Sequence, residues 1–279
     1  MDPARDQRPH IILIVGLSHS GSTILERALA CHSEAVGLGE VYHTLRAFTR
    51  QGWGRLQRPC SCGTQGQDCP VWSRLSDQPR QAPFQDRLVD LLTHAAATNN
   101  AKVLIDSSKR RDQAYLYARL QNQGRVHVYP VILVRDYRAW ATTSAHKRRG
   151  LTRNWDYLAL TWKWLHRHLL MRAKLRWYGL SAPLILFDHF THNPDRVVQQ
   201  IYAQLPASAN LDSAPEQLDL AHSQQHALTG NAIRTDPTRN RTIISDDAWR
   251  QDPRVTRLRW LTWGPELLRR WFWRHQDQC

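Results

Sequence analysis

Short apolar runs recur along this chain, each followed by a small or polar turn and then by apolar residues at helical spacing. Ile11 to Val15 is unbroken and β-branched at Ile11, Ile12, Ile14 and Val15. Such a run predicts a strand buried on both faces, as in a parallel sheet. Gly16 to Gly21 is a turn of small residues, and Thr23 to Ala30 carries Ile24, Leu25, Ala28 and Leu29 as the stripe of a helix. The order repeats with strands expected at Val103–Ile105, Val131–Val134 and Leu184–Phe187. Helices follow through Ala114, Leu116, Tyr117 and Leu120, from about Tyr137, and from about Pro194. Alternating strands and helices predict an α/β fold with a central, mostly parallel sheet flanked by helices.

The first turn carries candidate chemistry. Gly16, Gly21 and Thr23 have the spacing of a triphosphatase phosphate loop, G-x-x-x-x-G-K-[ST], yet Ser22 stands where the lysine belongs. Strand, glycine loop and helix still form an anion site, because loop amides and the positive end of the helix point at one place. Hydroxyls at Ser18, Ser20, Ser22 and Thr23 add donors. The fold class is therefore expected to be P-loop-like and three-layered. Asp106, at the end of the second predicted strand, has the position of a Walker-B carboxylate holding Mg²⁺. Lys109 and Arg135 follow the second and third strand ends, where open α/β sheets bind ligands.

The chain has 279 residues and a formal net charge of +14. That length accommodates one large α/β domain over residues 1–279. The Pro/Gly/Gln-rich stretch from Gly52 to Pro83 reads as an insertion, because apolar patterning resumes on both sides. A Trp/Arg-rich helical segment is expected at about 253–275. The positive charge implies an anionic partner without naming it: nucleic acid, an acidic membrane or a small polyanion all fit. Basic residues are scattered rather than striped. Trp162, Trp164 and Trp177, and Trp260, Trp263, Trp271 and Trp273, lie at spacings that predict core positions rather than base-stacking platforms. Residues 1–10 are polar and no run approaches a membrane span, so a soluble cytoplasmic protein without a signal peptide is expected.

Five cysteines, Cys31, Cys60, Cys62, Cys69 and Cys279, make a disulfide framework improbable. Cys60, Cys62 and Cys69 could begin a zinc site with His43 or another residue as fourth ligand. Their C-x-C-x6-C spacing matches none of the usual zinc patterns, which favours small buried thiols without metal.

At this point the motifs assemble into a resemblance. "GLSHSGST" resembles the 5′-phosphosulfate loop of the sulfotransferases that use 3′-phosphoadenosine 5′-phosphosulfate (PAPS), a loop of the form G-x-x-[KR]-S-G-[ST]-T. "ILVRDYRAWATTSAHKRRG" resembles their 3′-phosphate motif, an arginine at a strand end and a hydroxyl eight residues on. "SEAVGLGEV" is similar to the segment that carries the catalytic glutamate in the tyrosylprotein-type branch. "CSCG…CPVW", "DSSK" and "GNAIRT" are similar to a large, mostly bacterial branch. Two positions depart from the pattern: His19 replaces the loop Lys or Arg, and Thr143, followed by Ser144, replaces the usual serine.

The resemblance implies transfer of a sulfuryl group from PAPS to a hydroxyl or amine of a small-molecule or glycan acceptor, with no metal required and no nucleic-acid partner. It implies Glu40 as general base, His19 as donor to the leaving bridge oxygen, and Lys109 as neutraliser of the sulfonate oxygens. Cofactor binding would fall to Ser18, His19, Ser20, Gly21, Ser22, Thr23, Arg135, Thr143 and Ser144, with Arg234, Arg239 and Arg241 as a basic lid. A phosphate loop without a lysine makes sense here, since PAPS offers no β- or γ-phosphate to reach. Two other readings stay open: a P-loop kinase or related nucleotide enzyme with Asp106 on Mg²⁺, and a basic nucleic-acid-binding protein.

Overall fold

The computed structural model describes residues 8–79, 81–147, 153–209, 211, 215, 217–236, 242–245 and 247–274. Its centre is a five-stranded, all-parallel sheet in the order β2-β3-β1-β4-β5. The strands are β1 (His10–Gly16), β2 (Ala35–Gly37), β3 (Val103–Asp106), β4 (His127–Val134) and β5 (Leu184–Leu186). Because all run the same way, their carboxyl ends share one edge.

Alternation along β1 divides the core. Ile11, Leu13 and Val15 face one layer, with α2 (Val41–Gln51), α4 (Phe84–Thr98), α5 (Arg111–Asn122), α6 (Tyr137–Lys147) and α7 (Asn154–Trp177). Ile12 and Ile14 face the other, with α1 (Ser22–Leu29), α8 (Phe187–His192) and α9 (Pro194–Tyr202). Successive side chains of a strand point to opposite faces, so one apolar run fills both layers. The result is the α/β fold expected from the sequence, with helices on both sides of a parallel sheet.

The largest strand-boundary difference from the sequence reading is in β4, and β2 is an additional strand. β4 begins at His127 rather than Val131, and so contains Pro130. The Ile132 amide donates to Pro183 on the β5 side, so the donor that Pro130 lacks would face that same side, where pairing begins only at Ile132. A proline is tolerated where no ladder bond is needed. β2, only three residues long, is too short to leave a period in the sequence.

The stretch from Gly52 to Pro83 does not stand apart. Cys60, Cys69, Val71, Trp72 and Leu75 are buried in the same core cluster as Ile11 and Leu13, and the short α3 (Arg74–Asp77) packs beside α4. The tryptophans require correction. Of those expected in the core only Trp164 is fully buried; Trp177, Trp260 and Trp263 are 87%, 70% and 62% exposed, and Trp162, Trp271 and Trp273 each more than a third. α10 (Pro253–Arg257) and α11 (Trp263–Arg274) form the outer C-terminal segment. Phe272 of α11 fills the space against Trp164 and His168. The outer indoles instead pair edge to face, as in Trp162–Trp263, or lie under cations, as Trp271 does 4.1 Å from the Arg172 guanidinium. No described helix is long and apolar enough to cross a membrane.

Candidate functional site

The turn after β1 is shaped by close backbone approach. A Cβ on Gly16 would lie 2.7 Å from the Leu133 carbonyl oxygen of β4, and one on Gly21 would lie 2.0 Å from the Phe187 ring. Only glycine allows either contact. His19 and Gly21 both adopt left-handed conformations, with φ of 69° and 90°, and α1 starts immediately at Ser22. The turn is also tied down from the neighbouring elements. Arg135 Nη1 donates to the His19 carbonyl (2.6 Å), Trp140 Nε1 donates to the Ser18 carbonyl (2.8 Å), and the Lys147 ammonium lies 3.1 Å from His19 Nδ1. An ammonium can only donate, so Nδ1 accepts and the ring proton is on Nε2. The Ser20 hydroxyl is buried with no hydrogen-bond partner among the described residues. An orphaned buried hydroxyl beside a helix N-terminus suits an anion, which would satisfy it.

Arg135 directly follows β4. Its guanidinium is buried, 5.8 Å from the Phe187 ring centroid, and its carbonyl accepts from Trp164 Nε1 (3.0 Å). Thr143 and Ser144 lie in α6, half-buried and buried respectively. The 5′-phosphate residues named from the sequence thus occupy the turn after β1 and the start of α1, while of the 3′-phosphate residues Arg135 follows β4 directly and Thr143 and Ser144 lie in α6.

On the other side of β1, Glu40 follows β2 at the start of α2. Its Oε1 is 3.1 Å from Lys109 Nζ and its Oε2 is 3.9 Å from His43 Nε2. Lys109 comes after β3 and has φ of 58°. A non-glycine residue in that region costs about 1–2 kcal/mol, so the surrounding structure holds Lys109 in this position. Burial lowers the His43 pKa from its usual value, with the Glu40 charge opposing. The Glu40 carbonyl accepts from the hydroxyls of Thr44 and Thr229, both at 3.1 Å.

Two buried carboxylates underlie this corner. Glu26 of α1 accepts from the Gly39 amide and from the Ser107 hydroxyl (2.5 Å), which clamps the segment leading to Glu40 onto the turn after β3. Burial pushes its pKa up to about 7. Asp106 accepts from the Ser108 amide (2.9 Å) and hydroxyl (2.6 Å), from the Tyr117 hydroxyl (2.8 Å), and from Gln113 Nε2. Its lone pairs are committed to protein donors. An apolar cavity opens behind Lys109, lined by Val15, Ala114, Met171, Leu175 and Tyr178, with Arg110 and Lys174 at its margin.

Arg234 donates to the Pro59 carbonyl (3.0 Å), while Arg239 and Arg241 lie outside the described residues. The residue beside Cys60, Cys62 and Cys69 is His226; His43 is beside Glu40 instead. Glu26, Lys147, His226 and Thr229 were not singled out as site residues in the sequence. For Glu26 the only signal was a carboxylate one position from the apolar stripe of α1. Lys147 lies within the segment that resembles the 3′-phosphate motif.

No protein-family model matches this chain, and no curated protein matches it. Among solved structures it is similar to a sulfotransferase domain from the olefin synthase of Synechococcus PCC 7002. That likeness has a TM-score of 0.48 and 17% identity, over 88% of this chain and 83% of the other. At such distance it does not speak for activity.

Proposed function

We propose that this chain is a cytoplasmic PAPS-dependent sulfotransferase that transfers a sulfuryl group to a hydroxyl or amine, with Glu40 as the base. The carrying observation is the Glu40–Lys109 pair at 3.1 Å, on the sheet edge that also bears the phosphate turn. A proton acceptor and a cation sit together where an acceptor nucleophile and a transferring anion would both need help. The saturated hydrogen bonding of Asp106 supports the same choice over a kinase, because Mg²⁺ would have to displace its present donors.

PAPS, when bound, supplies a sulfuryl group already activated by a phosphate leaving group. The amides of the turn and the hydroxyls of Ser18, Ser20, Ser22 and Thr23 bind the 5′-phosphate. Arg135, with Thr143 and Ser144, grips the 3′-phosphate, where a guanidinium fork suits the anion. His19 carries its Nε2 proton as a donor, and Lys147 brings the positive charge that its ring lacks. Glu40 takes the proton from the acceptor, while Lys109 holds the carboxylate and has donors left for developing negative charge.

Binding of adenosine 3′,5′-bisphosphate against AMP tests this reading. A charged hydrogen bond is worth about 1.5–3 kcal/mol, so the bisphosphate should bind at least about tenfold more tightly in calorimetry. Equal affinities would remove the reading.

A further inference from the structure

The insertion and the strap after residue 224 meet at a cluster that sulfuryl transfer does not use. The sulfur atoms of Cys60, Cys62 and Cys69 and a ring nitrogen of His226 all lie within 4.8 Å of one another. Cys62 Sγ and Cys69 Sγ are 3.7 Å apart, and Cys69 Sγ is 3.2 Å from His226 Nδ1. Four ligands at zinc distances, about 2.3 Å for sulfur and about 2.0 Å for nitrogen, at tetrahedral angles give edges of roughly 3.5–3.8 Å. The observed edges need only small rotamer changes to meet that figure.

The histidine is oriented for the purpose. His226 Nε2 lies 2.9 Å from Asn99 Oδ1, and the Asn99 amide is itself fixed because Nδ2 donates to the Ala95 carbonyl (2.8 Å). Oδ1 therefore accepts, Nε2 carries the proton, and the Nδ1 lone pair faces the thiols. This is the arrangement that ligating histidines use to set their tautomer. The backbone is organised as well. Cys60 and Thr64 are joined through the Cys60 amide (2.8 Å), and Gly63 closes a turn onto the Cys60 carbonyl (3.0 Å). Ser61 is bonded twice to Ala227, through its amide (3.1 Å) and its hydroxyl (2.7 Å).

We propose that Cys60, Cys62, Cys69 and His226 form a structural Cys₃His zinc site. Zn²⁺ binds three thiolates and the neutral imidazole, and the thiol protons pass to solvent. Four protein ligands leave no open position, so the ion is a staple and not a Lewis acid. What it staples is the strap. Residues 225–229 pair with Gly37 of β2 through the His226 amide (2.7 Å) and end on the Glu40 carbonyl through Thr229 (3.1 Å). The ion thereby joins the insertion, the sheet edge and the segment that carries Glu40. The C-x-C-x6-C spacing did not announce it because the fourth ligand lies 157 residues beyond Cys69.

The zinc site stands independently of the sulfuryl-transfer reading, and metal analysis tests it without any assay of turnover. Full-length protein, purified under reducing conditions without a histidine tag, should hold about one zinc per chain. Metal-free protein titrated with Co²⁺ should develop thiolate-to-cobalt charge-transfer absorption and the visible bands of a tetrahedral ion. Asn99→Ala, which leaves all four ligands in place, should weaken zinc binding by about 10–100-fold. Cys31→Ser should leave stoichiometry and spectrum unchanged. Reduced wild-type protein that takes up neither zinc nor cobalt would overturn the site. So would a Cys60–Cys69 or Cys62–Cys69 disulfide persisting in the protein as isolated from the cytoplasm.

Discussion

Glu40 and Lys109 each come three residues after a strand end, and their charges meet at 3.1 Å. Glutamine at position 40 keeps the shape of the side chain and its place at the start of α2, but it cannot take a proton. Glu40→Gln should therefore lower kcat by about 10²–10⁴, the usual contribution of a general base, while affinity for adenosine 3′,5′-bisphosphate stays nearly constant. Steady-state kinetics beside calorimetry would check both halves. Full activity in the variant would assign the proton to another residue. His19 shows what a single residue leaves open. Its backbone is left-handed and its ring lies 3.1 Å from the Lys147 ammonium, a pairing that the loop motif alone did not suggest.

At the scale of elements, Glu26 matters more than its position one turn into α1 would imply. It binds α1 to the segment before α2 and to the turn after β3, and its folded pKa of about 7 stands above the ordinary 4.5. The folded chain therefore keeps a proton that the unfolded chain has released. The stability this gives is complete below pH 4.5 and is lost as pH rises towards about 7, by at most about 1.4 kcal/mol per pH unit. Asp106, raised by burial to about 6, acts in the same direction at lower pH. Glu26→Gln retains an acceptor for the Gly39 amide but cannot titrate. Urea midpoints measured from about pH 5 to pH 7 should fall less steeply in Glu26→Gln than in wild type. Parallel profiles would mean that Glu26 is ionised throughout, with water reaching it.

Across the whole molecule, the C-terminal segment divides into a buried anchor and an exposed face. Phe272 is fully buried against Trp164 and His168, whereas Trp260 and Trp177 are 70% and 87% exposed. Phe272→Ala should destabilise the fold by roughly 3–5 kcal/mol, as expected for an aromatic cavity in a core. Trp260→Ala and Trp177→Ala should each change stability by no more than about 0.5 kcal/mol. Equilibrium unfolding would separate the cases. A small effect of Phe272→Ala would show that α11 detaches before the sheet unfolds.

Local order was legible because it is written in consecutive residues. A β-branched apolar run, a glycine turn and a helical stripe already state strand, turn and helix, and repeating them requires a parallel sheet whose turns share one edge. From that, the residue types at the strand ends followed: the hydroxyl-rich turn, Lys109 and Arg135. Which of them touch was decided only by tertiary structure. Arg135 reaches His19 across 116 residues, Ser107 reaches Glu26 across 81, and His226 reaches Cys69 across 157. The tryptophans failed as core markers for the same reason. Helical spacing tells which residues share a face, but the layer a face meets depends on helices far away in sequence, and Phe272 had already filled the space beside Trp164. Periodicity is a property of neighbours along the chain; burial, pairing and ligand geometry are properties of neighbours in space.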